Sequence, residues 1–215
     1  PHQRSVFIGI GDVNGYDFWN EHAKPLGLIR AHDVRIQGGE TPSVAVSSVW
    51  QGRRGKKFLD EERMYTFSKV DDTCVRVDLA LTLTANYGNI RFGKTKEAGP
   101  LGIRVADEMR VKEGTGRFVN SEGGVNEDEC WGESARWCNY SGTVGGKLCG
   151  IAAFDHPGNE RYPTAWHVRN YGLMALNNLF FKGGFKLRKG ESGSYTFTIC
   201  FWEGAFDAEA FSKNL

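Results

Sequence analysis

The sequence predicts an all-β fold, a large antiparallel β-sandwich with a short C-terminal helix. Three observations predict it. Alternation of apolar and polar residues with period two runs through most of the chain. Clusters of Gly, Asn and Asp punctuate that alternation at "IQGGETP", "KVDD", "KEGTG" and "KGESG". Helical periodicity is almost missing, and no strand–helix–strand rhythm appears.

Taken in order, "PHQRSVFIGIG" leads into a first strand. "SVAVSSVW" and "RMYTFSKV" are rich in β-branched and aromatic residues, and "GRRGKK" between them is expected as an exposed hairpin tip rather than a phosphate patch. In "CVRVDLALTLTA", Val75, Val77, Leu79, Leu81 and Leu83 fall on one side, the mark of a half-buried antiparallel strand. "GIRVADEMRV", "KLCGIAAF" and "SYTFTICFW" continue the pattern, and "KGESG" is expected as a tight hairpin. In the tail "GAFDAEAFSKNL", Phe206, Ala210 and Phe211 have the spacing of a short helix facing the body.

Residues 1–215 are expected to form one domain that lacks its N-terminal segment. Hydrophobic residues are 40% and charged residues 25%, enough apolar material for a core. Net charge is +1, from 27 basic and 26 acidic residues without a block of like sign. That balance argues against nucleic-acid and anionic-membrane partners. No apolar run approaches the roughly 20 residues that cross a bilayer. The five cysteines form no CxxC pair, so small buried thiols are the default; Cys130 and Cys138 meet only if their loop folds back. The sequence leaves oligomeric state and compartment (cytoplasmic or periplasmic) open.

Three segments break the strand rhythm: "GDVNGYDFWNEHAKPLG", "NSEGGVNEDECWGESARWCNYSG" and "DHPGNERYPTAWHVRNYG". Loops this long in a compact domain are functional or disordered, and their tryptophans argue for order. Their convergence at one end of the sandwich is the expectation from which a ligand site follows. His156 and His167 are the candidate catalytic imidazoles, because their ordinary pKa lies near neutrality. Asp155 is placed to orient an imidazole or bind a hydroxyl. Arg169 suits a carboxylate or a developing enolate. The competing interpretation is a well-bonded corner, with Arg169 paired to an acid and His156 capping a turn.

Trp166 and Trp131 are the candidate stacking surfaces for the C–H face of a sugar, although large aromatics also close sandwich ends. Glu122, after a strand end, is the candidate base of a Glu–His pair. Asn126 and Tyr171 join the substrate-binding set. No EF-hand spacing is present; a metal site from His2, His156 and His167 is the minor alternative, since the spacing of His156 and His167 matches no recognised zinc-ligand pattern. No metal or organic cofactor is expected.

The pieces "GDVNGYDFW", "FGKTKEAGPLGIRVADEMRV", "NSEG", "WGESARWCNYSG" and "DHPGNERYPTAWHVRNYGLMALNN" together resemble the bacterial family named methane oxygenase PmoA-like, a domain of unknown function. The resemblance spans nearly the whole chain in order. It implies an antiparallel sandwich like that of the galactose mutarotase group, whose members bind or transform sugars, and a role in carbohydrate catabolism. His2, Asp12 and Asn14 match family positions and are counted as binding residues. The chain departs from the family where Gln3 replaces a second histidine and where the segment before "PHQRS" is missing. The family name itself is a poor guide, because a membrane oxygenase needs spanning helices and a metal cage. The expected function is acid–base chemistry on a sugar or oxidised glycoside, of epimerase or lyase/hydrolase type. The alternatives are a non-catalytic sugar-binding or assembly module and, remotely, a metal-dependent oxygenase.

Overall fold

A computed structural model describes residues 4–96, 98–213 and 215. His2 and Gln3 therefore lie outside the described residues. The strands are β1 (Val6–Ile10), β2 (Gly27–Gln37), β3 (Ser43–Gly52), β4 (Lys57–Lys69), β5 (Cys74–Thr84), β6 (Ile90–Phe92) and β7 (Ala98–Arg104). They continue as β8 (Arg117–Asn120), β9 (Trp137–Val144), β10 (Lys147–Asp155), β11 (Trp166–Arg169), β12 (Leu173–Leu176), β13 (Phe185–Leu187) and β14 (Ser192–Glu203). Three short helices accompany them: α1 (Asn126–Cys130), α2 (Asn178–Lys182) and α3 (Ala208–Ser212).

The architecture is the expected antiparallel sandwich. An eight-stranded sheet runs β2-β3-β4-β5-β14-β10-β9-β8, a four-stranded sheet runs β1-β7-β12-β11, and β13 pairs with β6. The alternation in β5 explains how the layers meet. Leu79, Leu81 and Leu83 are buried from the large sheet, and Ile103, Val168, Met174 and Leu176 from the small one, within one core. Each such side chain contributes about 1.5–3 kcal/mol on full burial. Val75, at the start of β5, is 45% exposed despite sharing the same face.

A second core lies on the opposite face of the large sheet. Cys74, Trp137, Phe154, Cys200 and Trp202 are covered there by Ala208, Phe206 and Phe211. The C-terminal helix is thus present, but Ala208 is its buried residue and Ala210 is exposed. The Asp207 side chain accepts from the Ala210 N–H at 2.9 Å and caps the first turn.

Two expectations are corrected. "KGESG" makes no hairpin, because β13 pairs with β6 while β14 pairs with β5 and β10. "GIRVADEMRV" is extended only to Arg104 and then turns through a 3₁₀ segment at Asp107–Met109. "GRRGKK" does form the turn between the paired strands β3 and β4. All five cysteines are free thiols. Among the described residues no helix is long and apolar enough to cross a membrane.

Candidate functional site on the outer face of the small sheet

Two of the three irregular segments converge. The Gly132 N–H donates to Trp166 O, Trp166 N–H to Glu133 O, Ala135 N–H to Thr164 O and Asp155 N–H to Arg136 O. Asp155 ties the second half together. It is 7% exposed; Oδ2 accepts from Thr164 N–H at 2.7 Å, and Oδ1 accepts from Asn159 Nδ2 at 2.7 Å and His156 N–H at 3.1 Å. Asn159 then clamps β14, donating to Thr196 O and accepting from Thr196 N–H, both at 2.7 Å. This corner seats β11 against β12.

Strand alternation in β11 sorts its four side chains. Trp166 and Val168 enter the core, and His167 and Arg169 take the outer face of the small sheet. Cross-strand register places Phe7, Gly102, Ala175 and His167 in one row across that face. Gly102 has to be glycine, since a Cβ there would come within 2.5 Å of the Phe7 ring. Gly102 and Ala175 form a floor of small residues between a phenylalanine and an imidazole. The next row holds Arg104, Leu173 and Arg169.

His167 is the chemically distinctive member. It is 5% exposed, and its Nδ1 lies 2.9 Å from Lys96 O. A carbonyl can only accept, so Nδ1 carries the proton and Nε2 keeps its lone pair. Nε2 is buried without a hydrogen-bond partner among the described residues. Burial pushes the pKa down from its ordinary value of 6.5, with the nearby Arg169 and Lys96 charges adding to the effect. Trp131 lies edge-on to the imidazole, 6.4 Å between ring centres at 89°, and rests on Phe181 at 5.0 Å. The indole is 42% exposed.

Arg169 Nε meets Glu127 Oε1 at 2.7 Å. Glu127 Oε2 in turn accepts from Asn170 N–H at 2.7 Å, which docks α1 onto the end of β11. The Tyr171 ring lies against two guanidinium groups, 5.3 Å from Arg104 and 5.4 Å from Arg169.

The depressed His167 pKa has a measurable consequence. The native state binds this proton less readily than the unfolded chain, so stability falls as pH drops from the ordinary value through the native one. Thermal melts between about pH 7 and about pH 5 should show a loss of Tm that is smaller in His167→Gln. An equal pH dependence in both proteins would contradict the assignment.

The remaining candidates are placed as follows. Trp166 is corrected to a core residue: it is 0% exposed and its indole N–H donates to Ala135 O at 2.8 Å. His156 is exposed and caps a turn, Nδ1 accepting from Gly158 N–H at 3.1 Å. Asp155 holds its loop rather than facing a ligand. Glu122 is exposed, accepts from Ser121 Oγ at 2.7 Å, and makes no contact with either histidine. Asn126 accepts from Phe118 N–H at 3.1 Å and so fastens α1 to β8. Asp12 accepts from the Arg91 guanidinium at 3.0 Å, and Asn14 bonds Asn89 and Arg91. These two fasten the first irregular segment to the β6 region. Among the described residues no three His, Cys, Asp or Glu side chains converge where they could hold a metal ion.

Sequence reasoning missed Lys96, Glu127 and Phe181 as parts of this site. For Glu127 no local signal exists, since Asn170, through which it docks, is 43 positions away.

A family model described as "Family of unknown function (DUF6807)" matches residues 1–215. The chain belongs to that family. Its description names no activity. Among solved structures, the chain is similar to the GH36 alpha-galactosidase AgaA from Geobacillus stearothermophilus, crystallised in complex with 1-deoxygalactonojirimycin. The TM-score is 0.47 and the identity 11% over 92% of this chain, which spans 29% of that enzyme's length. At that distance the likeness bears on neither substrate nor site. No curated protein matches the chain.

Proposed function

We propose that this protein binds a carbohydrate on the outer face of the small sheet and acts on it by acid–base chemistry, with His167 as the base. The observation that carries the proposal is the buried Nε2 of a tautomer-locked imidazole, unpartnered among the described residues, beside the exposed ring of Trp131. The indole offers a flat apolar surface to the C–H face of a sugar. Nε2 has a lone pair to take a proton from the anomeric hydroxyl, or from the carbon beside a carbonyl in an oxidised glycoside, once the bound sugar displaces what covers it. Arg169, 35% exposed and held by Glu127, supplies the positive charge that a developing oxyanion needs. The imidazolium formed in the first step is the acid that returns the proton.

A second interpretation is binding without chemistry. It is favoured by the commitment of Arg169 to Glu127, which makes it part of a fixed wall. Incubation with a panel of glycosides and oxidised glycosides, followed by mass spectrometry, separates the two. Acid–base chemistry predicts product with the native chain and a loss of at least about 100-fold in turnover with His167→Gln. Trp131→Ala should raise KM more than it lowers kcat, while Glu122→Gln and His156→Ala leave both unchanged. Saccharide affinity that depends on Trp131, with no product from any substrate, would establish the binding module instead. Neither affinity nor product would refute both.

A further inference from the structure

A concavity of about 570 Å³ opens between the turn that joins β3 to β4 and the loop at residues 20–26. Its walls carry Tyr16, His22, Lys24, Arg53, Arg54 and Lys56, with Glu21 as the single carboxylate. In a chain of net charge +1 this concentrates four permanent cations from two separate segments in one cleft. Against the expectation that "GRRGKK" is a hairpin tip and not a phosphate patch, we infer that this cleft, which joins that tip to a second segment, is a binding site for a small ligand bearing two or more phosphate, sulfate or carboxylate groups.

These cations lack the carboxylate partners that several arginines elsewhere have. Elsewhere Arg63, Arg76, Arg91, Arg136 and Arg169 each meet a carboxylate. Lys24, Arg53, Arg54 and Lys56 make no ion pair among the described residues; Lys56 only lies over the Phe58 ring at 5.2 Å. Four like charges gathered from two segments with only Glu21 among them repel one another, and a multivalent anion relieves that repulsion. The guanidinium fork matches the paired oxygens of phosphate, sulfate and carboxylate.

The walls are held in place before any ligand arrives. Asp17 Oδ1 accepts from Trp19 N–H and Asn20 N–H at 2.8 Å each, and Asp17 N–H donates to Pro25 O. The opposite wall closes through Gly52 N–H to Lys56 O at 2.8 Å. Tyr16 packs against Phe58 at 4.7 Å with the rings tilted by 53°, and a Cβ at Gly52 would come within 2.9 Å of the Tyr16 ring, so only glycine leaves the ring in the cleft wall. The volume suits a ligand of one or two sugar units, within the roughly 300–1,000 Å³ of small-molecule sites. The absence of like-charge blocks elsewhere in the sequence gives no track for a long polyanion.

The test is calorimetric titration of the full chain with inorganic pyrophosphate, a disulfated disaccharide and citrate, at low and at physiological ionic strength. Binding that weakens with salt is expected, and the preferred probe identifies phosphate, sulfate or carboxylate as the group recognised. Replacing both arginines (Arg53→Ala with Arg54→Ala) should weaken it at least about tenfold. Lys24→Ala should weaken it less, and Lys213→Ala, just past the C-terminal helix, not at all. Since His167→Gln leaves this cleft intact, unchanged anion affinity in that variant separates this site from the carbohydrate site. No heat with any probe at low ionic strength, or full affinity after loss of both arginines, would overturn the inference.

Discussion

Replacing Asp155 by alanine should destabilise the protein by about 3–5 kcal/mol, the range of changes that break a buried hydrogen-bonded network. The carboxylate is 7% exposed and accepts from three donors, two of them backbone N–H groups of its own loop. Alanine leaves all three without an acceptor, and the Asn159 clamp on β14 loosens with them. Asp155→Asn should cost less, because one oxygen still accepts, but its amide then faces a donor. The pH dependence has a definite sign. Burial pushes the Asp155 pKa above the ordinary 3.8, so the native state holds this proton more firmly than the unfolded chain does. The stability it contributes is fully present below 3.8 and is lost as pH rises through the native value. Denaturant titrations across that acidic range should show the loss in the native chain and not in Asp155→Asn. A cost below about 1 kcal/mol for Asp155→Ala would mean that the corner is not held in this way.

Glu61→Ala should have an effect of the same size, about 3–5 kcal/mol, at the other end of the large sheet. Glu61 is 0% exposed, lies 2.6 Å from Arg63 Nε and accepts from the Trp50 indole N–H at 2.8 Å. Its removal strands a largely buried guanidinium and a fully buried N–H donor together. The double replacement Glu61→Leu with Arg63→Leu should recover part of the loss, since it removes both charges and leaves only the indole unpaired. Chemical denaturation of the two singles and the double measures that coupling. Strict additivity would show that the pair does not act as one unit.

The fold was legible because β-sheets repeat every two residues, and that repeat is visible in β3, β4, β5 and β14 as a run of letters. The partition of strands between sheets was not. Nothing local in "KGESG" says that the strand before it pairs with β6, a pairing set by which apolar faces meet across the core. Only a third of the candidate residues are brought together by the fold. His167, Arg169, Trp131 and Tyr171 do gather on one surface, but His156, Glu122, Asp12 and Asn14 do not join them. The error has a physical origin. "WHVR" is a strand, so alternation assigns His167 and Arg169 to one face and Trp166 to the other, and the density of polar residues upstream concealed its start. That density has a structural cause: Asp155, Asn159 and Arg161 spend their hydrogen bonds on the backbone, Arg161 on the carbonyls of Asn178, Lys182, Gly183 and Gly184.

The central claim concerns one nitrogen atom, and long-range ¹H–¹⁵N correlation spectra of the histidine side chains test it most directly. At neutral pH the account predicts His167 in the neutral tautomer protonated on Nδ1, with Nε2 and the Trp131 indole shifting together when a saccharide binds and His156 unmoved. A protonated His167, or a saccharide response confined to His156 and Glu122, would contradict it.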